Sequence, residues 1–303
     1  MKNILYLLLA TTLLSSCEKV ITVQLQEGEA QLVVDAFLNN DTLPQTIKLR
    51  TTQPYFDNSP APAVTGATVT LETTIPAFPP YTTIETQRTL IFTDPNNTGD
   101  YTWKPDASNI LTSRLTLPFL LHKLIIKTQG EQYEAYSFSD DVLKIDSLWS
   151  KEAKNDSTGA MRYKLDMKAR DLSGRPNFTW FKTYRNGKLI GIPKNIVTCY
   201  DAAFGPGTDG SLVIPPIIDA LSPENFYKGD VITVEAHAID QFGYVFFNLA
   251  LAQINNTGLF ASPTTNTPSN VVNVTHKGSK EPRYKALGCF SVAVVTRKTI
   301  TVK

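Results

Sequence analysis

The chain has 303 residues, of which 42% are hydrophobic and 10% are aromatic, a composition that is typical of globular folding and excludes a disordered polypeptide. Its formal net charge is +1, so the overall charge does not favour binding to nucleic acid or to an anionic membrane surface. The length is sufficient for one large domain or for two domains of ordinary size.

The N-terminus has the layout of an export signal. Lys2 supplies a positive charge, residues 4–14 form an apolar run, and two small serines precede Cys17. This run is too short to span a bilayer as a helix, since a span needs about 20 residues. We therefore expect residues 1–16 to be removed, which leaves a body without net formal charge because Lys2 is the only charged residue in that segment.

The residues Leu14-Ser15-Ser16-Cys17 resemble the lipobox of bacterial lipoproteins. In that family the thiol of the cysteine takes a diacylglycerol, and the chain is cut just before it. The resemblance implies that Cys17 is lipidated and that residues 17–30 form an anchor and tether. Two or three acyl chains hold a protein on a membrane almost irreversibly. The alternative is an ordinary secretory signal in which Cys17 is incidental.

Residues 31–143 contain many short strand patterns with turn signals between them. Alternating or β-branched segments predict two hairpins at the ends of this unit and three further strands between them. Strands at such regular spacing favour an all-β sandwich. The predicted strands lie at residues 31–38, 45–50, 66–72, 89–92, 101–103, 121–127 and 132–137.

Two proline-rich loops in this unit, residues 52–64 and 75–81, carry bulky aromatic side chains. Proline removes a backbone donor, so these loops cannot join the interior of a sheet. The aromatic residues either fold back over the edge of the core or face a partner, because aromatic side chains dominate interface hot spots. The candidate contact residues are Tyr55, Phe56, Phe78 and Tyr81.

Residues 144–303 predict a second β-rich, sandwich-like domain that contains one helix. Asn186-Gly187 is the strongest hairpin signal of the chain, because a two-residue type I′ turn needs positive φ at both positions. Residues 240–256 predict the helix, since aromatic and aliphatic residues recur at helical spacing after Asp240, a capping residue. The predicted strands lie at residues 162–169, 178–185, 188–190, 231–239, 291–295 and 299–302.

The three histidines, His122, His237 and His276, do not have the four-residue spacing that places a pair of metal ligands on one helix face. No serine lies in a Gly-x-Ser-x-Gly elbow. The sequence therefore predicts a protein that is not an enzyme and that has neither a metal site nor a cofactor.

Two loops have a weak resemblance to ligand-binding motifs. Residues 94–100 resemble the start of a calcium loop, but the twelfth position is Pro105 where such a loop has a glutamate, so a hairpin turn is favoured. Residues 205–211 are rich in glycine but lack the lysine of a phosphate loop. A flexible surface loop is the favoured interpretation, with a cation site at Asp201 and Asp209 as the alternative.

Cys199 and Cys289 are the two cysteines of the expected mature body. In an exported protein an even number of cysteines is typical of a disulfide. The alternative is two buried free thiols that pack as small apolar residues. The sequence leaves both alternatives open.

Short motifs occur in a fixed order at residues 14–21, 32–36, 52–57, 64–69, 268–271 and 286–290. Together they resemble a family of outer-membrane lipoproteins of Bacteroidota that carries a "domain of unknown function" label. The resemblance covers nearly the whole chain and implies an immunoglobulin-like N-terminal domain and a fibronectin-III-like C-terminal domain. Members of that family tend to be encoded beside TonB-dependent receptors, and the family has no established catalytic residues to carry over. One departure is Cys289, where an aromatic residue is expected.

We therefore expect a lipid-anchored outer-membrane protein that binds or assists a TonB-dependent receptor in nutrient uptake. A structural or adhesive surface module is one alternative, and a hydrolase with a site between the two domains, such as an aspartate with His237, is another. Both sides of the membrane stay open, because Cys17 is followed by one acidic and one basic residue, Glu18 and Lys19.

Overall fold

The computed structural model describes residues 28–54, 56–75, 85–106, 119–155, 157–174, 176–191, 196–205, 208–256 and 267–303. The signal segment and several predicted site residues lie outside these ranges, namely Cys17, Tyr55, Phe78 and Tyr81.

The described residues are mostly β-structure, which confirms the predicted all-β class. They form sixteen strands, one α-helix and three short 3-10 helices (Asp201–Phe204, Ile218–Leu221 and Pro282–Tyr284). The bounds are β1 (Leu32–Asn39), β2 (Gln45–Thr51), β3 (Thr68–Ile75), β4 (Glu85–Phe92), β5 (Asp100–Trp103), β6 (Leu120–Thr128), β7 (Glu131–Ser139), β8 (Lys144–Ala153), β9 (Arg162–Arg170), β10 (Phe178–Arg185), β11 (Lys188–Leu189), β12 (Val197–Tyr200), β13 (Leu212–Val213), β14 (Val231–Ile239), α1 (Gln241–Asn255), β15 (Val272–Asn273) and β16 (Ala286–Thr301).

The strands form one large sheet and two smaller ones. The large sheet has eight strands in the order β11-β10-β14-β16-β1-β2-β5, with β12 also paired to β10. A five-stranded sheet has the order β15-β7-β6-β3-β4, and a three-stranded sheet has the order β13-β9-β8. The two predicted terminal hairpins of the first unit are confirmed as the antiparallel pairs β1–β2 and β6–β7.

The C-terminal strand β16 joins the two halves of the chain. The sequence predicts two strands here, at 291–295 and 299–302, but the structure has one strand of 16 residues. Its first half pairs in parallel with β1, and its second half pairs antiparallel with β14. Strands from before and after residue 144 therefore share one sheet, while the tandem immunoglobulin-like and fibronectin-like identities stay predictions.

The inner face of the large sheet covers two hydrophobic cores. Alternate residues of β1, including Val34 and Leu38, pack with Phe290 of β16 in a cluster that also contains residues of the five-stranded sheet. Further along, Phe181 and Val234 belong to a second cluster with residues of the three-stranded sheet. The period-2 pattern of these strands explains the arrangement, because every second side chain points to the same face.

The helix α1 lies on the opposite, outer face of the large sheet, and it confirms the helix predicted at 240–256. Asp240 is the N-cap, and its carboxylate accepts a hydrogen bond from Gly243 N (2.7 Å). Phe247 stacks on Phe37 of β1 (centroids 4.9 Å apart) and contacts Trp180 of β10 (4.3 Å). The helix thus covers a patch of the outer face where β1 and β10 carry aromatic side chains.

Candidate partner-binding surface

The first proline-rich loop, residues 52–64 and here called the aromatic loop, directly follows β2, and its C-terminal end is hydrogen-bonded back to β2. Thr51 N donates to Pro62 O (2.9 Å), and Val64 N donates to Leu49 O (3.0 Å). Three prolines restrict φ within the loop and reduce the number of conformations that the free chain can adopt. The base of the loop is therefore continuous with the hydrogen bonding of the large sheet.

Side chains of the aromatic loop also fix its tip. Gln53 Nε2 donates to Asp57 O (2.7 Å) and to Ser59 O (2.8 Å), so one amide bridges the loop. The Asp57 carboxylate accepts from Ser59 N (2.8 Å), and this bond lowers the pKa of Asp57. Asp57 N donates to Pro54 O (3.0 Å), which closes a tight turn. The tip thus has an internal set of hydrogen bonds.

Phe56 projects from this tip, and 66% of its surface is exposed. Of the two alternatives for the loop aromatics, Phe56 does not cover the edge of the core. A contact with a partner stays a prediction for this residue. The corresponding predictions for Tyr55, Phe78 and Tyr81 fall outside the described residues.

A row of four charged residues crosses the outer face of the large sheet beside α1, and sequence reasoning missed it. Lys182 of β10 lies opposite Glu235 of β14, which lies opposite Arg297 of β16. Arg297 donates to both carboxylate oxygens of Asp41 (2.8 and 2.7 Å) and to Glu235 (3.1 Å). We call Asp41, Lys182, Glu235 and Arg297 the charged row.

The positive and negative side chains of the charged row offset one another's charge. Burial alone would raise the pKa of Glu235, but the hydrogen bond from His237 and the charges of Arg297 and Lys182 bring it down to about 2. Burial lowers the pKa of Lys182, whose Nζ lies 4.0 Å from the centroid of the Trp180 ring. Because opposite charges alternate across the strands, the row stabilises strand register.

The three histidines have structural environments. His237 is 3% exposed, and its Nε2 lies 3.0 Å from the Glu235 carboxylate. His122 is fully buried, with its ring nitrogens 3.0 Å from Thr73 Oγ1 and 3.2 Å from Ser139 Oγ. The exposed His276 stacks on Tyr284 (centroids 3.8 Å apart). A substrate cannot reach the rings of His122 and His237 in this arrangement.

The proposed Cys199–Cys289 disulfide is not formed, because both thiols are free and buried. Cys199 lies on β12 and Cys289 lies on β16, and the strands follow the order β12, β10, β14, β16. Three inter-strand spacings separate the two strands by about 14 Å, which is twice the largest Cα separation that a disulfide bridges. Burial raises the pKa of Cys199 to about 12 and raises that of Cys289 as well. The buried-thiol alternative therefore holds.

The two weak loop motifs lie in turns. The Asp94 carboxylate accepts from Thr98 N (3.0 Å) and Gly99 N (2.7 Å), as the hairpin-turn interpretation requires. Asp201 accepts from Asn177 Nδ2 (3.2 Å), and Asp209 accepts from Gly174 N (3.4 Å). In the described part of the chain, no group of three or more His, Cys, Asp or Glu side chains is placed to hold a metal ion.

Two surface grooves are prominent. One, of about 590 Å³, lies between β8 and the end of β16 and is lined by Leu148, Trp149, Tyr163 and Ile300 among others. The other, of about 530 Å³, lies between β7 and the N-terminal part of α1.

Within the described ranges, no helix combines the length and the apolar character that a membrane span requires.

A comparison with protein families matches residues 18–299 to a family described as a domain of unknown function (DUF4249). The match includes every described strand apart from the end of β16. No curated protein matches the chain.

Proposed function

Because the chain belongs to the DUF4249 family, whose description assigns no activity, we propose its function from the resemblance to outer-membrane lipoproteins and from the aromatic loop: it is a lipid-anchored outer-membrane protein that binds a TonB-dependent receptor and assists nutrient uptake. The lipobox resemblance at Cys17 supports the anchor. The aromatic loop supports the binding role. An accessory protein of this kind acts by position and contact, and it does not need a catalytic group.

The observation that carries the proposal is the exposure of Phe56 beside the hydrogen bonds of Gln53 and Asp57. Aromatic side chains supply much of the binding energy at interface hot spots. Ordering a mobile loop costs binding free energy, and the hydrogen bonds that Gln53 donates and Asp57 accepts reduce that cost in advance. A receptor with an apolar pocket would therefore gain binding free energy by burying the exposed part of the Phe56 side chain.

We expect Phe56→Ser to lower receptor recovery by about tenfold or more, the effect of losing one hot-spot residue. Tagged full-length protein would be isolated from detergent-solubilised outer membranes of its own host, and co-purifying TonB-dependent receptors would be quantified by mass spectrometry. Recovery of no receptor with the unmodified protein, from cells grown on many nutrients, would contradict the proposal itself.

Leu43→Ser is the matched control for Phe56→Ser. Leu43 is 67% exposed, almost the same fraction as Phe56, but it precedes the start of β2 whereas Phe56 follows its end. The two variants therefore remove similar exposed apolar surface at opposite ends of one strand. If both lowered recovery equally, the aromatic loop would not be the specific contact.

A separate prediction concerns the anchor. We expect Cys17→Ala to abolish metabolic palmitate labelling and to move the protein out of the membrane fraction, because the thiol is the acceptor in the proposed lipidation. Fractionation and labelling of the variant and of the unmodified protein would check this. Retention of the variant on the membrane would show that another element anchors the chain.

A further inference from the structure

The second half of β16 has one open edge. In this strand the even-numbered residues bond towards β14, as Val302 does by donating to Asp230 O (2.9 Å). The odd-numbered residues point to the other side, where β1 is the neighbour only as far as the pair Asn39 and Ala293. Beyond that point β16 continues for eight residues without a paired strand on this side.

The first backbone group past the end of β1 is satisfied by a side chain. Val295 N donates to Asn40 Oδ1 (3.0 Å), so the turn after β1 caps this position. The next odd-numbered residues are Arg297, Thr299 and Thr301. Among the described residues, their backbone N–H groups have no hydrogen-bond partner. We call this side of residues 297–301 the β16 edge.

The groove of about 590 Å³ lies beside the β16 edge. Its opposite wall is β8, which is itself the outer strand of the three-stranded sheet. Lys298 Nζ donates to Asp146 O (3.1 Å), so β8 is close to β16 although the two strands share no ladder. Trp149 of β8 is 36% exposed at this groove.

We propose that the β16 edge binds an extended peptide segment of a partner protein by strand addition, with one of its apolar side chains in the groove beside Trp149. In this mode the main chain of the peptide bonds to the free N–H and C=O groups, and pockets for alternate side chains give specificity. The three residues Arg297, Thr299 and Thr301 match a segment of about five residues, because every second residue of a strand bonds to the same neighbour.

Charge and chain length define the occupant. Lys298 and Lys303 form no ion pair with a described residue, and residues 294–303 contain no acidic side chain, so acidic residues of the segment fit beside β16, away from Glu152 on the β8 wall of the groove. Pairing of two copies would bring these lysines together. Residues 18–27 precede β1, which starts beside Ala286, roughly 36 Å along β16 from Arg297. Ten extended residues span at most about 36 Å, so this length leaves none of them to pair with the β16 edge.

The test uses a displayed library of random ten-residue peptides and the full-length protein in detergent. Thr299→Pro removes one N–H group of the β16 edge and none of the bonds to β14, and proline is tolerated on an edge strand. Thr299→Ala is the matched control, since both variants lose the Thr233–Thr299 hydroxyl contact (2.8 Å). We expect selected peptides with alternating apolar residues to bind Thr299→Pro at least tenfold more weakly and Thr299→Ala within about twofold of the unmodified protein.

A second measurement does not depend on the stability of the proline variant. N-methylation of alternate backbone nitrogens of a selected peptide should abolish its binding to the unmodified protein, while methylation of the intervening nitrogens should not. Equal loss for both sets, no enrichment of peptides, or unchanged binding to Thr299→Pro would overturn the proposal. A concentration-dependent dimer that Thr299→Pro abolishes would assign the β16 edge to a second copy and would also overturn it.

Discussion

Gly288→Ala is expected to lower the free energy of unfolding by about 4 kcal/mol or more. A loss of this size is exceptional for one substitution, and backbone strain is among the few mechanisms that cause it. Gly288 has a φ of +94°, where residues with a side chain are strained. A Cβ at this position would lie 1.9 Å from Val34 O and 2.8 Å from Val34 C. Val34 and Gly288 are register partners in β1 and β16, so neither backbone can move away without opening the pairing between them.

Urea unfolding of the variant and the unmodified protein would measure this loss. Gly130→Ala is the matched control, because Gly130 also has a positive φ, +81°, but has no atom within 4 Å of a built Cβ. We expect the control to cost only about 1–2 kcal/mol, the cost of left-handed backbone for an alanine. Equal destabilisation by the two substitutions would show that the close approach to Val34 O does not matter.

The hairpin turn and the helix could be predicted from the sequence, because each depends on residues that are neighbours in the chain. The turn of the β10–β11 hairpin follows from Asn186-Gly187, which have φ values of 51° and 79° as a type I′ turn requires. The helix follows from its apolar spacing and from Asp240 at its start. Each of these elements is specified by residues that are close together in the chain.

The joining of the two halves could not be read in this way. Residues 296–298 are polar, so the apolar pattern stops there and predicts two strands. The strand continues because its bonds to β14 are made by the backbone, while Arg297 and Lys298 lie exposed. The parallel pairing of β16 with β1 joins residues about 250 positions apart, and no local signal encodes such a contact.

The two candidate sites differ in the same way: one lies within a short segment, and the other joins residues that are distant in the chain. The aromatic loop was predicted from prolines and aromatic residues within one short segment, and Phe56 is exposed as the partner-facing alternative expects. The charged row needs the register of β10, β14 and β16 and the position of Asp41, which lies in a distant turn. In the sequence, the charged row is indicated only by polar residues at alternate positions of β10 and β14. These positions do not show which residues of other strands they pair with.

The stability of the protein is expected to fall as the pH falls from about 6.5 to about 4. Burial, followed by the charge of Arg88, lowers the pKa of His122 to about 3. Burial lowers the pKa of His237 to about 4, although the hydrogen bond to Glu235 opposes this shift. In the unfolded chain both histidines take up a proton near pH 6.5. The unfolded state therefore binds more protons across this window, and lower pH favours it.

Each histidine contributes up to about 1.36 kcal/mol of stability lost per pH unit, so the pair contributes up to about 2.7 kcal/mol per pH unit. Urea midpoints between pH 7 and pH 4.5 would measure the slope, and His237→Gln should remove about half of the pair's share while keeping a donor for Glu235. Glu235 stays ionised in the folded state because its pKa is about 2, but the unfolded chain protonates it near pH 4.5, so below about pH 5.5 it adds to the same slope, whereas burial raises the pKa of Asp240 and gives a slope of opposite sign. Above about pH 5.5, where Glu235 is ionised in the folded and the unfolded state, the difference between the variant and the unmodified protein isolates the histidine, since Asp240 is common to both. The prediction would be contradicted by a urea midpoint that stays constant or rises as the pH falls, together with the same slope in His237→Gln. That result would mean that His237 is protonated in the folded state, with Glu235 and Lys182 arranged around a charged ring.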